Sequence, residues 1–187
     1  MNSTIKAIGI SGSLRSASTN TGLLRSAQAN LPEGMALEIL DINAVPFYNA
    51  DYDIEGRPAI IAPLIEKIAN ADALVFACPE YNYTIAPALK NIIDWASCEP
   101  ENHALNGKPV AILGSGGGMG TSRAQYHLRQ VCVYLNLLPL NKPEVFVNAF
   151  AGGFDDQGNI VDEKLKNQVA SQMLALRDWV KKLRTPI

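Results

Sequence analysis

The stretch Ile5-Lys6-Ala7-Ile8-Gly9-Ile10-Ser11-Gly12-Ser13 sets the organisation of the chain. A short apolar run that stops in a Ser/Gly cluster reads as a buried strand, and a helical pattern takes over near Asn20. The same punctuation returns downstream. Residues 36–40 form a second apolar run closed by Asp41, and residues 73–78 a third stopped by Pro79. Residues 109–113 form a fourth that runs into glycines from Gly114, and residues 143–147 are a fifth and weaker candidate. Helical spacing fills the intervals. Pro58 opens a segment with Ile61, Leu64, Ile65 and Ile68 on one face. Pro87 suits the first turn of a helix, where a missing N–H costs nothing, and Leu89, Ile92, Ile93 and Trp95 follow. The last helix carries Val161, Leu165, Val169, Met173, Leu176, Val180 and Leu183 at three- and four-residue spacing, a stripe suited to packing on a sheet.

Continuous apolar strands alternating with amphipathic helices predict an α/β fold whose parallel sheet is covered on both faces. Five strands in this length suggest a doubly wound, flavodoxin-like sheet of order 2-1-3-4-5, built as one domain over residues 1–187. Ligands in such sheets sit beyond the carboxyl ends of the strands, so the loops after strands one, three and four are where chemistry is expected. The connection over residues 41–57 is the irregular stretch. Its Phe47, Tyr48 and Tyr52 either line a partner surface or pack on their own domain.

Composition narrows the function classes. With 187 residues, 48% hydrophobic and 18% charged, the chain has the make-up of a soluble globular domain. Sixteen Lys+Arg against eighteen Asp+Glu leave a net charge of -2, without the basic excess of a nucleic-acid-binding module or the acidity of a charge-docking carrier. Cys78, Cys98 and Cys132 are odd in number with no C-x-x-C pair, which reads as free thiols in a reducing cytoplasm. No apolar run approaches the ~20 residues that span a bilayer, and the N-terminal residues show no signal-peptide core.

Each of the three loops carries its own chemistry. Residues 11–20 supply hydroxyls at Ser13, Ser16, Ser18 and Thr19, a guanidinium at Arg15, and unpaired N–H groups at a helix start, which together suit an anion. The Gly-Lys-Ser/Thr ending of a P-loop is absent, and a Ser/Asn-rich helix cap is the plainer reading. Pro79-Glu80-Tyr81-Asn82-Tyr83-Thr84 brings two tyrosines and an amide to a place where turns favour glycine and small polar residues. Those groups suit a planar heterocycle, or an interface. Gly114-Ser115-Gly116-Gly117-Gly118-Met119-Gly120 lets a backbone approach a ligand and aim N–H groups at it, or is simply a flexible turn.

Taken together, these segments resemble the NADPH-dependent FMN reductase family, in its quinone and chromate reductase branch. The resemblance covers nearly the whole chain. It is carried by Gly12-Ser13-Leu14-Arg15 with Ser18 and Asn20, by Pro79-Glu80-Tyr81-Asn82-Tyr83, by Leu89-Lys90-Asn91-Ile92-Ile93-Asp94-Trp95, and by Arg123-Ala124-Gln125-Tyr126-His127-Leu128-Arg129-Gln130. It implies that Ser13, Arg15, Ser18, Thr19 and Asn20 hold the FMN phosphate. It further implies that Pro79, Glu80, Tyr81, Asn82 and Tyr83 border the isoalloxazine ring, and that Ser115, Gly116 and Gly117 approach its pyrimidine end. The implied activity is electron transfer from NAD(P)H through FMN to a quinone-like acceptor, with the flavin carrying the chemistry and no protein acid, base or nucleophile required. A homodimer or homotetramer is implied as well, with Arg123, Tyr126, Gln130, Tyr83 and Glu144 near the contact.

Other readings are weaker. Two histidines and three scattered cysteines give no usual metal-ligand spacing, and no G-x-S-x-G elbow marks a serine hydrolase. The alternative from another class is a non-enzymatic flavodoxin-like protein, an FMN-binding electron carrier or interaction module.

Overall fold

The computed structural model describes residues 4–100 and 103–185, so residues 1–3, 101–102 and 186–187 of the expected domain lie outside it. Its strands are β1 (Ile5–Ser11), β2 (Met35–Ile39), β3 (Ala73–Ala77), β4 (Glu80–Tyr81), β5 (Thr84–Ile85), β6 (Pro109–Gly116), β7 (Leu138–Pro139) and β8 (Val145–Asn148). Its helices are α1 (Thr19–Ala29), α2 (Tyr52–Glu55), α3 (Ile61–Asn70), α4 (Pro87–Ser97), α5 (Ser122–Tyr134) and α6 (Glu163–Arg184). The main sheet is parallel throughout. β1 lies between β2 and β3, β6 follows β3, and both β7 and β8 pair with β6. Counting the five long strands in chain order gives 2-1-3-4-5, as expected.

Successive side chains of a strand point to opposite faces, and both faces here are buried. Ile8, Ile10, Leu74, Phe76 and Ile112 pack with α3, α4 and α5 around the fully buried Trp95. Ile5, Ala7, Val75, Ala77 and Leu113 pack with α1 and α6, through Leu23, Leu24, Val169, Met173 and Leu176. That two-sided demand explains why the strands lack polar alternation.

Three details depart from the expected picture. The fifth strand is split along the outer edge of β6: β7 pairs with Pro109 and Val110, while β8 pairs with Leu113 to Gly116. In the gap, Gln172 of α6 donates its amide to the Ile112 carbonyl (2.9 Å) and to the Pro143 carbonyl (3.0 Å). At the opposite edge Gln28 of α1 donates to the Leu37 carbonyl of β2 (2.8 Å). The second loop, expected only as a loop, is an antiparallel hairpin, β4–β5.

The connection over residues 41–57 contains the short α2, and two of its aromatics are structural. Tyr48 meets Trp95 edge-on at 5.1 Å and Tyr52 stacks on it at 5.6 Å, while Phe47 stays 74% exposed. Asn91 and Trp95 of α4 hold this connection by bonds to the Pro46 carbonyl and the Tyr48 N–H. A hydrogen bond with Cys98, with smaller contributions from burial and Asp53, pushes the Tyr48 phenol up to about 12. All three cysteines are free, and burial pushes the Cys78 and Cys132 thiols up to about 12, leaving them unreactive near neutral pH.

Candidate functional site

The three loops identified in the sequence leave one edge of the sheet and are fastened to each other pairwise. Gly12 sits so close to the second loop that a Cβ there would lie 2.7 Å from the Pro79 ring and 2.9 Å from Leu89 Cβ. Asn20, on the first turn of α1, donates its amide to the Ser115 carbonyl (2.8 Å) and accepts from the Ser115 N–H (3.0 Å). Glu80, at the start of the hairpin, accepts from Arg123 and from the Ala124 N–H, in the first turn of the helix that follows the glycine loop.

The first loop turns out of β1 through Ser11, whose Oγ accepts from the Ser13 N–H (3.3 Å) and from Thr21 Oγ1 (3.0 Å). Ser18 caps α1 by accepting from the Thr21 N–H at 3.2 Å. Among the described residues, the N–H groups of Arg15, Ser16, Ala17, Thr19 and Asn20 donate to no backbone carbonyl. Arg15 is exposed and forms no ion pair within them. Unpaired donors, a guanidinium without an ion pair and a helix start thus lie within one short loop, a set that suits a phosphate. Ser13 and Thr19 of this loop are half-buried, and Ser18 is buried. The carboxamide of Asn20 is turned inward to Ser115, so its backbone N–H is the group it presents at the helix start.

The hairpin places Tyr81 and Tyr83 outward, 44% and 66% exposed, with Asn82 exposed between them. Its two-residue turn has φ of 48° at Asn82 and 72° at Tyr83, both left-handed. Glu80 does not point at the open cleft. Its side chain is only 7% exposed, paired with Arg123 Nε at 2.6 Å and with the Ala124 N–H at 3.3 Å. The Arg123 guanidinium lies 3.7 Å over the Tyr83 ring, and its hydrogen bond with Glu80 binds its proton more firmly still. His127 Nδ1 meets Thr84 Oγ1 at 2.9 Å, a second tie between hairpin and α5.

The glycine loop is a tight turn closed by the Gly120 N–H on the Gly117 carbonyl (2.8 Å). Four of its glycines fall into two classes. A Cβ at Gly114 would lie 2.0 Å from Thr121 Oγ1 and 2.4 Å from the Cys78 carbonyl oxygen, and one at Gly116 2.7 Å from the Gly120 carbonyl oxygen. A Cβ at Gly117 or Gly118 would meet nothing within 4 Å. The backbone there is bare and faces open space, leaving room for the flat edge of a ring. Ser115 Oγ, beside it, is buried without a hydrogen-bond partner.

A fourth loop, absent from the sequence reading, supports the first. Its turn is nucleated by Asp155, which accepts from the Gln157 and Asn159 N–H groups, and those bonds hold its carboxyl below the usual range. Gly158 lies against Ser18, and its carbonyl occupies the place of a side chain at Gly22, where a Cβ would be 1.7 Å away. Arg25 of α1 completes the contact through Asn159 Oδ1 (2.6 Å) and the Gln157 carbonyl (3.1 Å). The legible signal was the turn-forming cluster Asp155-Asp156-Gln157-Gly158-Asn159.

Comparison with known proteins bears on this arrangement. The family model for NADPH-dependent FMN reductase matches residues 5–152. An NAD(P)H-dependent FMN reductase of Pseudomonas aeruginosa is 50% identical over 185 residues, covering 98% of this chain and all of that protein. An NADPH:quinone oxidoreductase of Arabidopsis thaliana is 42% identical, covering 96% of this chain and 94% of the relative. Among solved structures, the flavoenzyme NAD(P)H:(acceptor) oxidoreductase of Paracoccus denitrificans superposes with a TM-score of 0.84 at 28% identity, covering 95% of this chain and 98% of the other.

Proposed function

The chain belongs to the NADPH-dependent FMN reductase family, and from that premise we propose how its loops divide the work of an FMN-dependent NAD(P)H oxidoreductase with quinone-like acceptors. The observation that carries the reading is the pairwise fastening of three loops around a bare glycine backbone. The first loop suits a phosphate, the hairpin presents tyrosines, and the third loop presents bare main chain.

The residues present fit FMN. Arg15, the hydroxyls of Ser13, Ser18 and Thr19, and the N–H groups up to Asn20 would hold its phosphate. Pro79, Glu80, Tyr81, Asn82 and Tyr83 form the hairpin that would border the ring, with Glu80 acting from behind by fixing the hairpin on α5. Ser115, Gly116 and Gly117 would lie along its pyrimidine end, for which the open space at Gly117 leaves room. When bound, FMN supplies the two-electron chemistry between NAD(P)H and the acceptor. The chain's own residues would orient it, and among the described residues none is assigned as acid, base or nucleophile. The exposed Tyr81 and Tyr83 leave the open side of the cleft wide, which suits small acceptors of varied shape.

A homodimer or homotetramer in the cytoplasm, built from one domain, completes the proposal. Tyr126 and Val133 are 65% and 80% exposed on α5, the face expected at a contact between copies. Glu144 pairs with Lys142 within the chain, and no helix of the described residues is long and apolar enough to cross a membrane. Light scattering of the purified protein tests the assembly; a monomeric mass with full activity removes it. The activity itself is tested by the visible spectrum of the protein with FMN, before and after anaerobic NADPH or NADH. A bound-flavin spectrum that bleaches is expected, and absence of flavin binding would overturn the site.

A further inference from the structure

Tyr83 is a poor residue for the backbone it occupies. A two-residue hairpin turn with both central residues left-handed normally takes Asn-Gly, because a bulky side chain at positive φ crowds its own carbonyl. Here the pair is Asn82-Tyr83, with φ of 48° and 72°. The strands offer little help, since β4 and β5 are two residues each and so short a hairpin is marginal alone. Something outside the hairpin must hold it.

Arg123 is the residue that reaches both its parts. Its Nε donates to Glu80 Oε1 at 2.6 Å, a second guanidinium nitrogen reaches the same oxygen, and its plane covers the Tyr83 ring at 3.7 Å. Glu80 is nearly buried and depends on that partner, while Tyr83 gains from the stacking only if the turn stays left-handed. We propose that Arg123 is the positioning residue of the cofactor-bordering hairpin, holding the Asn82–Tyr83 turn in a conformation that it would not keep alone. Its effect on FMN rests on the hairpin bordering the ring, as proposed above; its effect on the backbone does not. Lysine would keep the charge but lose both the fork and the planar stacking.

Hydrogen exchange on the full chain, with and without FMN, tests this through Arg123→Gln, Arg123→Lys, Tyr83→Gly and the double variant Arg123→Gln/Tyr83→Gly. In Arg123→Gln the amides of residues 80–85 should exchange about tenfold faster while those of α6 keep their protection, with Arg123→Lys between it and the wild type. Glycine adopts positive φ freely, so the double variant should return most of the lost protection, a rescue that a merely packing role for Arg123 would not produce. FMN affinity should follow the same order, weakest in Arg123→Gln. Unchanged exchange in Arg123→Gln, or no rescue by Tyr83→Gly, overturns the proposal. Faster exchange with rescue but level FMN affinity supports Arg123 as the holder and removes the hairpin from the ring. Should Arg123→Gln fail to fold, Arg123→Lys alone and combined with Tyr83→Gly decides on the same readings.

Discussion

The hairpin after β3 and the glycine turn after β6 leave adjacent strands at the same edge and solve opposite problems. The hairpin puts two non-glycine residues in left-handed conformations and holds them with side chains from α5. The glycine turn contains five glycines, yet only Gly120, at φ 60°, has a left-handed backbone. Gly114 and Gly116 are glycine because neighbouring atoms leave no room, whereas Gly117 and Gly118 face the open space that the proposed site would use. Within this turn glycine therefore marks close approach and open space more than left-handed backbone, while the hairpin, whose turn is left-handed, does without it.

Substitution separates the two kinds of glycine. Gly114→Ala should lose about 3 kcal/mol, since its Cβ meets a backbone carbonyl and a buried threonine with no room to yield. Gly117→Ala should stay within about 0.5 kcal/mol of the wild type. Urea unfolding of both variants checks this, and equal midpoints would erase the distinction. Next in size, Gly117→Val should leave the midpoint near that of the wild type but weaken FMN about tenfold or more, read by fluorescence titration. Full affinity and turnover in that variant would remove the glycine turn from the cofactor site.

Acid should act on the other end of the site, through Asp155. Its carboxyl is held below the ordinary 3.8 by hydrogen bonds from Asn159 and Gln157, so the ionised form stabilises the fourth loop. That contribution is complete above 3.8 and is lost as pH falls through the lower folded-state value. FMN affinity should therefore fall more steeply as pH drops below 3.8 in the wild type than in Asp155→Asn, which keeps the turn without the titration. Parallel pH curves would detach the fourth loop from the phosphate loop. The smallest effect belongs to Thr84→Ala, which removes the bond to His127 and should cost about 0.5–1 kcal/mol in the same unfolding assay.

The sheet order was legible because strands buried on both faces must be continuously apolar, and residues 73–77 show that at full strength, each of them buried. The fifth strand was faint because it is split and Phe146 faces outward, so its pattern is short and mixed. The three loops were legible as places. What each side chain does within them was not. The resemblance makes Asn20 a phosphate ligand, yet its carboxamide partner, Ser115, lies 95 residues away and no local signal marks it. Glu80 and Arg123 are likewise joined only by the fold, and a hairpin whose turn lacks glycine announces itself poorly.

The two glutamines at the margins of the sheet have a consequence for the protein among other proteins. A bare outer strand is a template on which a foreign strand can add, the first step toward aggregates. On the β6 side the outermost strands are the short β7 and β8, and Gln172 fills the break between them by taking the Ile112 carbonyl. On the β2 side Gln28 takes that of Leu37, and the charged pair Glu38–Lys67 stands beside it. Neither margin presents an unbroken row of free acceptors, so an incoming chain finds no register to extend. Two side-chain amides, as well as surface charge, thus make both margins poor templates for a further strand.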